Sequence, residues 1–455
     1  MGSTKRKLFG TDGVRGVANV HPMTAEVALA LGQAIAHIFR RKGERRHRIL
    51  IGKDTRLSGY MFEDALAAGI SSMGVDVVHV GPMPTPAVAF LTVDMRCDAG
   101  VMITASHNAF RDNGLKFFGS DGFKLADELE AEIEELIDSG QLSQFRADPD
   151  SLGQATRIDD AAGRYVVYLK NTFPRELTLD GMRVVLDCAN GAAYKVGPTV
   201  MRELGAELIT LGIEPNGRNI NHECGSTHPE GVAEIVRKQQ ADVGLAVDGD
   251  SDRVMIVDEK GEVLDGDKVI ALCARYLAED GRLRGGGVVT TVMSNLGLEE
   301  SLKKSGLDLI RAQVGDRYVV EAMREGGYNL GGEQSGHVIF LDHGTTGDGL
   351  MTAVQVLAIM AREGVPLSTL VSGFKRYPQV LVNIDVANKR PLESLPSLQA
   401  AQSEVEEKLG DRGRILIRYS GTELKARVMV EGENEGDVSE HANHLADVLK
   451  KALSD

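Results

Sequence analysis

The sequence predicts an α/β protein with three similar domains, each built on a mixed or largely parallel sheet, and a smaller C-terminal α+β domain, all around a central cleft. Two observations predict this fold class. Apolar runs of strand length alternate with helical patterns as far as Pro366, and the pattern changes beyond it. A chain of 455 residues is also too long for one hydrophobic core. The predicted domains cover residues 1–155, 156–257, 258–370 and 371–455.

In the first domain, a polar loop with a serine follows the third predicted strand. Segment 11–16 predicts a surface turn. Helices are expected over 24–42, where Gly43 offers a C-cap, and over 58–73. Strands are expected over 49–54, 75–80 and 99–103. The last strand stops at residues 104–108, the serine loop, where the hydroxyl group of Ser106 can carry chemistry.

The next two domains repeat this order of strands and helices. Their strands are expected over 182–187, 207–211, 243–247, 287–292 and 307–314, with a short run before Gly332. The third strand of one domain ends at residues 248–253, the carboxylate loop, and that of the other at residues 332–337, the Glu333 loop. Ligands bind at the carboxyl ends of parallel strands, so we expect these loops and the serine loop to face one cleft.

The C-terminal domain is predicted to begin after a linker at 374–378. A strand is expected over 380–386, a polar helix over 397–409, and a second strand from Arg414. That strand leads into residues 418–423, the phosphate loop. Backbone N–H groups and two hydroxyls in this turn, beside Arg418 and Arg427, are typical of a phosphate-binding nest.

The carboxylate loop places Asp248, Asp250 and Asp252 on alternate residues. Oxygen ligands at this density suit Mg²⁺, especially where a phosphate supplies another ligand. An EF-hand is disfavoured because Arg253 occupies the position that needs glycine, and because apolar strands flank the loop. A solvated acidic turn is the alternative. Together with Ser106, the loop predicts a metal-assisted phosphoserine.

Other interpretations of the remaining motifs stay open at this stage. Ser106 lacks the G-x-S-x-G elbow, and its neighbour His107 is awkwardly placed for a serine–histidine triad, so hydrolase chemistry is disfavoured. Ser106 could be an ordinary loop serine. The Glu333 loop could be a tight turn with a capping serine. Lys116 could be a surface lysine with a buried stem.

Composition limits the classes of partner and compartment. The net charge of −15 disfavours general binding to nucleic acid or to anionic membranes, so an anionic substrate would need a locally basic pocket. The four cysteines show no C-x-x-C spacing, which indicates neither zinc nor disulfides and fits a reducing cytoplasm. No signal peptide is expected, and Arg6 breaks the myristoylation motif. We predict a cytoplasmic location.

Read together, the four loops resemble the α-D-phosphohexomutase superfamily over essentially the whole chain. The serine loop resembles its phosphoserine loop, the carboxylate loop its metal loop, the Glu333 loop its sugar-binding loop, and residues 418–423 its phosphate-binding loop. Segments 9–16, 291–297 and 314–318, with Gln334, resemble the branch that acts on glucosamine phosphates. Four residues depart from the pattern: Ala109, Tyr419 and Leu424 replace prolines, and Ser251 replaces a glycine.

The resemblance implies interconversion of glucosamine 6-phosphate and glucosamine 1-phosphate, through a phosphoserine enzyme and a 1,6-bisphosphate, to feed UDP-N-acetylglucosamine synthesis. Two alternatives stay open: action on glucose or mannose phosphates within the superfamily, and a non-catalytic sugar-phosphate-binding protein. A small sugar phosphate is the expected partner, with a hexosamine or hexose 1,6-bisphosphate as activator. The resemblance also leaves a homodimer open.

The resemblance further implies a role for each matched residue. One Mg²⁺ would be bound by Ser106, Asp248, Asp250 and Asp252. The expected catalytic residues are Ser106, Lys116 as general acid/base, Arg15, His107 and Arg253. The expected substrate-binding residues are Glu333, Ser335, His337, Arg418, Ser420, Gly421, Thr422 and Arg427.

Overall fold

The computed structural model describes residues 8–10, 12–41, 46–420 and 424–454. Its elements form four sheets in chain order, three of them in α/β units and the last in a smaller α+β unit. The predicted fold class is confirmed. The division at residues 155, 257 and 370 stays a prediction. None of the helices in these four ranges combines the length and the apolar character that a membrane crossing requires.

The first sheet has six strands in the order β1-β5-β4-β2-β3-β6. They are β1 Val14–Val17, β2 Arg48–Lys53, β3 Asp76–Pro82, β4 Ala99–Ile103, β5 Asp112–Gly119 and β6 Ala155–Arg157. Strands β6, β3, β2 and β4 are parallel, β5 runs antiparallel to β4, and β1 runs antiparallel to β5. Part of the segment predicted as a surface turn is therefore an edge strand, because β1 pairs with β5 and buries Val14.

The helices of the first unit are α1 Ala25–Arg40, α2 Gly59–Ser72, α3 Thr85–Asp94 and α4 Asp127–Asp138. Helix α1 begins where it was predicted, because the Thr24 hydroxyl accepts a hydrogen bond from the Val27 N–H at 3.4 Å. The helix ends at Arg40, and the predicted cap Gly43 lies outside the described residues. Helix α3 packs against β2 and β4.

The second and third sheets have the orders β11-β10-β9-β7-β8 and β13-β12-β14-β15. Their strands are β7 Arg183–Asp187, β8 Glu207–Leu211, β9 Val243–Val247, β10 Val254–Asp258, β11 Val263–Leu264, β12 Gly287–Thr291, β13 Asp308–Ala312, β14 Leu330–Gly332 and β15 Val338–Phe340. In each, three parallel strands are followed by an antiparallel hairpin. The carboxylate loop is the turn of the β9–β10 hairpin, and the Glu333 loop is that of the β14–β15 hairpin.

Eight helices of the described chain accompany these two sheets. They are α5 Ala161–Lys170, α6 Val196–Glu203, α7 Glu230–Gln239, α8 Gly266–Glu279, α9 Leu296–Lys304, α10 Asp316–Gly326, α11 Gly349–Glu363 and α12 Leu367–Leu370. The main apolar core is continuous through all three units, since it includes Val88 of α3, Tyr165 of α5 and Val354 of α11. The three α/β units therefore support one another around the loops.

The fourth sheet is antiparallel, with β18 in the centre. Its strands are β16 Gln379–Asp385, β17 Gly413–Tyr419 and β18 Lys425–Gly432, and its helices are α13 Pro396–Leu409 and α14 Glu435–Ser454. The predicted linker is tethered to the third unit, because the Tyr377 N–H donates to Asn295 Oδ1 and Asn295 Nδ2 donates to the Tyr377 carbonyl, both at 2.9 Å.

A buried ion pair docks the fourth unit. Arg414 of β17 donates to Glu431 Oε2 of β18 at 2.7 Å, and to the carbonyls of Val292 and Ser294 in the third unit. Glu431 also accepts the Leu296 N–H at 2.9 Å. Burial raises the pKa of Glu431 and lowers that of Arg414, so each charge depends on the other for compensation.

We predict that Arg414→Ala destabilises the docking of the fourth unit by about 3–5 kcal/mol, because it leaves the Glu431 carboxylate buried and unpaired. Limited proteolysis should cleave at residues 374–378 well before it does in the wild type, and the first thermal transition should move to lower temperature. Arg412→Ala is the matched control, since the Arg412–Glu433 pair on the same hairpin is exposed. Equal proteolysis of the two variants would contradict the docking role.

Candidate active site

The serine loop follows β4 and presents a buried hydroxyl. Ser106 is 2% exposed, and its φ of +49° lies in the left-handed region. Its Oγ donates to Asp248 Oδ2 at 2.6 Å and lies 3.3 Å from His107 Nδ1. The serine loop and the carboxylate loop, 142 residues apart in the chain, therefore meet at this hydroxyl.

Three buried carboxylates stand around Ser106. One oxygen each of Asp248, Asp250 and Asp252 lies within 4.8 Å of the others, and all three residues are buried. Burial and then the charges of Asp250 and Asp252 raise the pKa of Asp248 well above its usual range. Asp250 Oδ1 and Asp252 Oδ1 are buried without a hydrogen-bond partner. Orphaned anionic oxygens at this density fit a hard divalent cation, so the residues present suit the expected metal.

The close contact between the two loops explains Gly249. A Cβ there would lie 2.7 Å from the Ser106 carbonyl and 2.6 Å from Asn221 Nδ2. Only glycine allows the carboxylate loop to approach this closely. Ser251, in the same loop, has a φ of +59°, which lies in the left-handed region. This is the position at which the sequence departs from the glycine of the motif that the loop resembles.

Lys116 is part of the cluster and not a surface lysine. It lies on β5 opposite Met102, and its Nζ is 2.9 Å from Asp250 Oδ2, 3.1 Å from Asp252 Oδ2 and 3.3 Å from Asp12 Oδ2. Burial alone would lower the pKa of Lys116, but Asp12, Asp250 and Asp252 raise it well above its ordinary value. Lys116 is therefore held as an ammonium.

Arg15 reaches this cluster through Asp12, to which it donates at 3.2 Å. Asp12 also pairs with Lys124, whose Nζ lies 2.5 Å from Asp316 Oδ2 in the third unit. Burial opposes ionisation of Asp12, but Lys116, Lys124 and Arg15 together lower its pKa. No role had been predicted for Asp12, Lys124 or Asp316. The only signal was that Asp12 and Asp316 stand inside motifs that carry the resemblance.

Thr85 was also missed. Its Oγ1 donates to Asp250 Oδ2 at 2.6 Å, and its N–H donates to the Asp250 carbonyl at 2.9 Å. Thr85 is the first residue of α3, and no sequence motif pointed to it. The first unit therefore holds the carboxylate loop from a second side.

Arg253 and His107 complete the polar surroundings of the serine. Arg253 Nε lies 3.7 Å from Asp252 Oδ1. Burial would lower the pKa of Arg253, but Asp252 and Asp248 raise it. Burial and the charges of Arg253 and Arg15 lower the pKa of His107 to about 4. His107 is consequently neutral near pH 7 and can accept or donate a hydrogen bond without adding charge.

The Glu333 loop packs against the carboxylate loop. Glu333 accepts the Gly315 N–H and the Ser335 hydroxyl, both at 3.3 Å. His337 is buried: its Nε2 accepts the Gly347 N–H at 3.1 Å, and its Nδ1 lies 3.7 Å from Asp252 Oδ1. The predicted meeting of the three loops is confirmed.

The predicted phosphate site lies on the fourth sheet. Arg418 of β17 is directly opposite Arg427 of β18, and burial and then the charge of Arg427 lower the pKa of Arg418. Like charges on facing positions are unfavourable unless an anion lies between them. Ser420 is buried at the end of this strand. Gly421 and Thr422 lie outside the described residues.

Taken together, the three α/β units place the Ser106 hydroxyl beside a carboxylate cluster that could hold a metal ion, with lysine and arginine charges next to it. This arrangement suits phosphoryl transfer, which depends on positioning and on neutralising charge. It does not suit acyl transfer by a triad, because His107 is adjacent in sequence and no carboxylate among the described partners orients its ring.

Models of the phosphoglucomutase/phosphomannomutase family match the chain in four consecutive parts. Its alpha/beta/alpha domains I, II and III match residues 6–144, 163–261 and 265–377, and its C-terminal domain matches 381–448. Curated relatives match at full length. The phosphoglucosamine mutase of Syntrophotalea carbinolica is 57% identical over 99% of this chain and 98% of its own. That of Geobacter metallireducens is 59% identical over 98% and 99%.

Solved structures share the architecture. A phosphoglucomutase/phosphomannomutase family protein from Burkholderia thailandensis has a TM-score of 0.82 at 25% identity, over 98% of this chain and 97% of its own. An N-acetylphosphoglucosamine mutase from Aspergillus fumigatus, solved with GlcNAc-6P and magnesium, has a TM-score of 0.68 at 19% identity, over 99% and 96%. The second likeness concerns the fold alone. Because four consecutive family models match the chain and relatives match it at full length, the chain belongs to the phosphoglucomutase/phosphomannomutase family.

Proposed function

We propose that the protein interconverts glucosamine 6-phosphate and glucosamine 1-phosphate as a phosphoserine-dependent mutase in the cytoplasm. The observation that carries the proposal is the 2.6 Å contact of Ser106 Oγ with Asp248 inside the carboxylate cluster. The choice of sugar is supported by the names of relatives at 56–59% identity. An amino-sugar 1-phosphate is the form from which a nucleotide sugar such as UDP-N-acetylglucosamine would be made.

The reaction needs two phosphoryl transfers that mirror each other. Phosphoserine 106 gives its phosphoryl group to the free hydroxyl of the sugar phosphate, which forms a 1,6-bisphosphate and leaves Ser106 as a free hydroxyl. The bisphosphate turns around, and its other phosphoryl group returns to Ser106. In the first transfer the proton of the sugar hydroxyl must end on Ser106 Oγ. Lys116 can donate one ammonium proton there and recover one from the sugar, so no net proton is required.

Phosphate monoesters are so unreactive that the enzyme must lower the barrier by on the order of 20 kcal/mol. Mg²⁺ on Asp248, Asp250, Asp252 and a phosphoserine oxygen would neutralise charge on the transferring group. Arg15 and Arg253 are proposed partners of its other oxygens, and His107 is a neutral neighbour. These groups are held in place before substrate arrives, so their ordering does not add to the barrier.

The remaining predicted residues are proposed to hold the sugar phosphate. Glu333 and Ser335 offer acceptors and a hydroxyl to the sugar, while His337 secures their loop. The facing Arg418 and Arg427, with Ser420, Gly421 and Thr422, would bind the phosphate that is not reacting. A hexosamine or hexose 1,6-bisphosphate is the proposed activator, because it can phosphorylate Ser106 in enzyme that has lost its phosphate.

The proposal is tested with the purified protein, Mg²⁺, a catalytic amount of glucose 1,6-bisphosphate and, in parallel, the 6-phosphates of glucosamine, glucose and mannose. We expect the highest kcat/KM for glucosamine 6-phosphate, and a loss of at least about 1,000-fold in Ser106→Ala, which keeps the fold but cannot carry phosphate. A higher kcat/KM for glucose or mannose phosphate would show that the protein acts on that sugar instead of glucosamine. Unchanged turnover in Ser106→Ala would overturn the phosphoserine mechanism.

Asp250→Asn should weaken Mg²⁺ binding roughly tenfold or more and lower kcat, because it removes one anionic ligand while it keeps the shape of the side chain. Calorimetric titration with Mg²⁺ measures the affinity directly. Glu63→Gln is the matched control: Glu63 is a buried carboxylate paired with Lys53 in the first unit, and its oxygens are not part of the carboxylate cluster. Equal Mg²⁺ affinities in the two variants would identify the carboxylate loop as merely acidic.

Arg418→Ala should raise KM by roughly 10- to 100-fold, because a charge-assisted contact with phosphate is worth about 1.5–3 kcal/mol. The variant should also release more free bisphosphate per turnover and depend more strongly on added activator. Steady-state kinetics and chromatographic measurement of the bisphosphate check both effects, with Arg412→Ala as the control on the same strand pair. A KM and a bisphosphate release like those of the control would place the phosphate site elsewhere.

A further inference from the structure

The carbonyl side of the serine loop is held by one fully buried arginine. Arg56 is 0% exposed, and its guanidinium donates to the carbonyls of Ser106 at 2.9 Å, Asn108 at 2.8 Å and Asp112 at 3.0 Å, as well as to Ala109. Its Nε donates to Asp54 at 2.8 Å, so every N–H group of the guanidinium is used. The Ala109 carbonyl would also be present in a proline, so this departure from the superfamily pattern leaves the contact intact.

A second donor reaches the same carbonyls from the second unit. Asn221, in the segment between β8 and α7, donates from Nδ2 to the Ser106 carbonyl at 2.8 Å and to the Asn108 carbonyl at 3.1 Å. Its own N–H donates to the Ala189 carbonyl at 2.9 Å, and its φ is +57°. The Asn221 side chain is therefore fixed to the second unit and hydrogen-bonded to the first.

The Ser106 peptide is also held at its amide. The Ser106 N–H donates to Thr104 Oγ1 at 2.9 Å, and that hydroxyl donates to Asp54 Oδ2 at 2.7 Å. With the amide and the carbonyl both held, Ser106 keeps a left-handed conformation that serine seldom adopts. This conformation fixes the direction of its Cα–Cβ bond, and with it the position of Oγ beside Asp248.

We propose that Asn221 is a positioning residue for phosphoryl transfer, which sets the serine loop of the first unit in register with the carboxylate loop of the second. This inference rests on the proposed function. Asn221 donates to the Ser106 carbonyl, and Gly249 of the carboxylate loop packs against both groups. Loss of the amide leaves Arg56 as the remaining side-chain donor described for that carbonyl. The backbone of the serine loop then loses its side-chain hydrogen bonds from Asn221 of the second unit, so the position of Oγ relative to the carboxylates of that unit is less closely fixed.

The test uses the full-length protein as Asn221→Ala, as the near-isosteric Asn221→Asp, and as the control Asn219→Ala. Asn219 lies in the same segment, and its amide donates within that segment, to the Glu214 carbonyl at 3.0 Å. Each protein is phosphorylated with glucose 1,6-bisphosphate, its phosphoserine content is measured by intact mass, and its single-turnover transfer to the preferred hexose 6-phosphate is followed by quenched flow. Steady-state KM and melting temperature are measured on the same samples.

We expect both Asn221 variants to lose about 10- to 100-fold in the transfer rate constant per phosphorylated site, with KM within about twofold of the wild type. Asn219→Ala should keep the wild-type rate constant. The carboxylate in Asn221→Asp keeps the size of the amide but cannot donate while ionised, so a loss there separates the hydrogen bond from packing.

Three outcomes would overturn the inference. One is a wild-type rate constant per phosphorylated site in either Asn221 variant, even where less protein folds. Another is a loss that appears only in KM. The third is an equal loss in Asn219→Ala, which would indicate a general effect of the segment. A wild-type protein that forms no phosphoserine or transfers to no sugar would instead refute the proposed function itself, so the two failures are distinguishable.

Discussion

Mutual repulsion among buried carboxylates is the constraint on which the site depends. Asp248, Asp250 and Asp252 are drawn together by a tight hairpin turn and excluded from water. Such a cluster persists only if cations are built in beside it or bound to it. Lys116 provides one positive charge, which lies close to Asp250 and Asp252. Asp248 forms no ion pair with a lysine among the described residues. The pKa of Asp252 is accordingly lowered while that of Asp248 is raised.

The same charges hold the units together. From Lys116, contacts continue to Asp12 and Lys124 in the first unit, and then to Asp316 in the third. His337 lies between Asp316 and Asp252, at 3.6 and 3.7 Å, and so closes a ring of polar contacts through all three units. A change at any member alters the balance for the others. Electrostatics therefore couples the geometry of the serine to the packing of distant sheets.

The fourth unit is attached to the rest of the chain by a different kind of interaction. Polar contacts join it to the third unit: Arg414, Glu431 and Gln379 bond to the backbone of residues 292–296, and Asn295 bonds to Tyr377. A continuous apolar core joins the other three units. Its facing arginines give a locally basic surface to a chain whose net charge is −15. The proposed phosphate site lies on a unit that is joined by polar contacts and not by the shared apolar core, and such a unit can move relative to the serine more easily. This is the property that a bisphosphate turning within the site would require.

The succession of strands and helices along the chain, the loops at strand ends and the family could be predicted from the sequence, because hydrophobic alternation and polar loops are local patterns. Ser106 and the three aspartates could be predicted as site residues, since each stands in a short motif whose residue types indicate a chemistry without knowledge of a second segment. Their roles stay predictions. From the sequence, Lys116 could be either a catalytic residue or a surface lysine, and part of strand β1 was predicted to be a turn. No role was predicted for Asp12, Thr85, Lys124, Arg56 or Asn221. Each of these acts through residues of another element, such as Ser106 and Asn221, which are 115 positions apart. Their contacts could be found only in the folded chain, because the burial and the charge that a side chain meets depend on which distant segments fold against it.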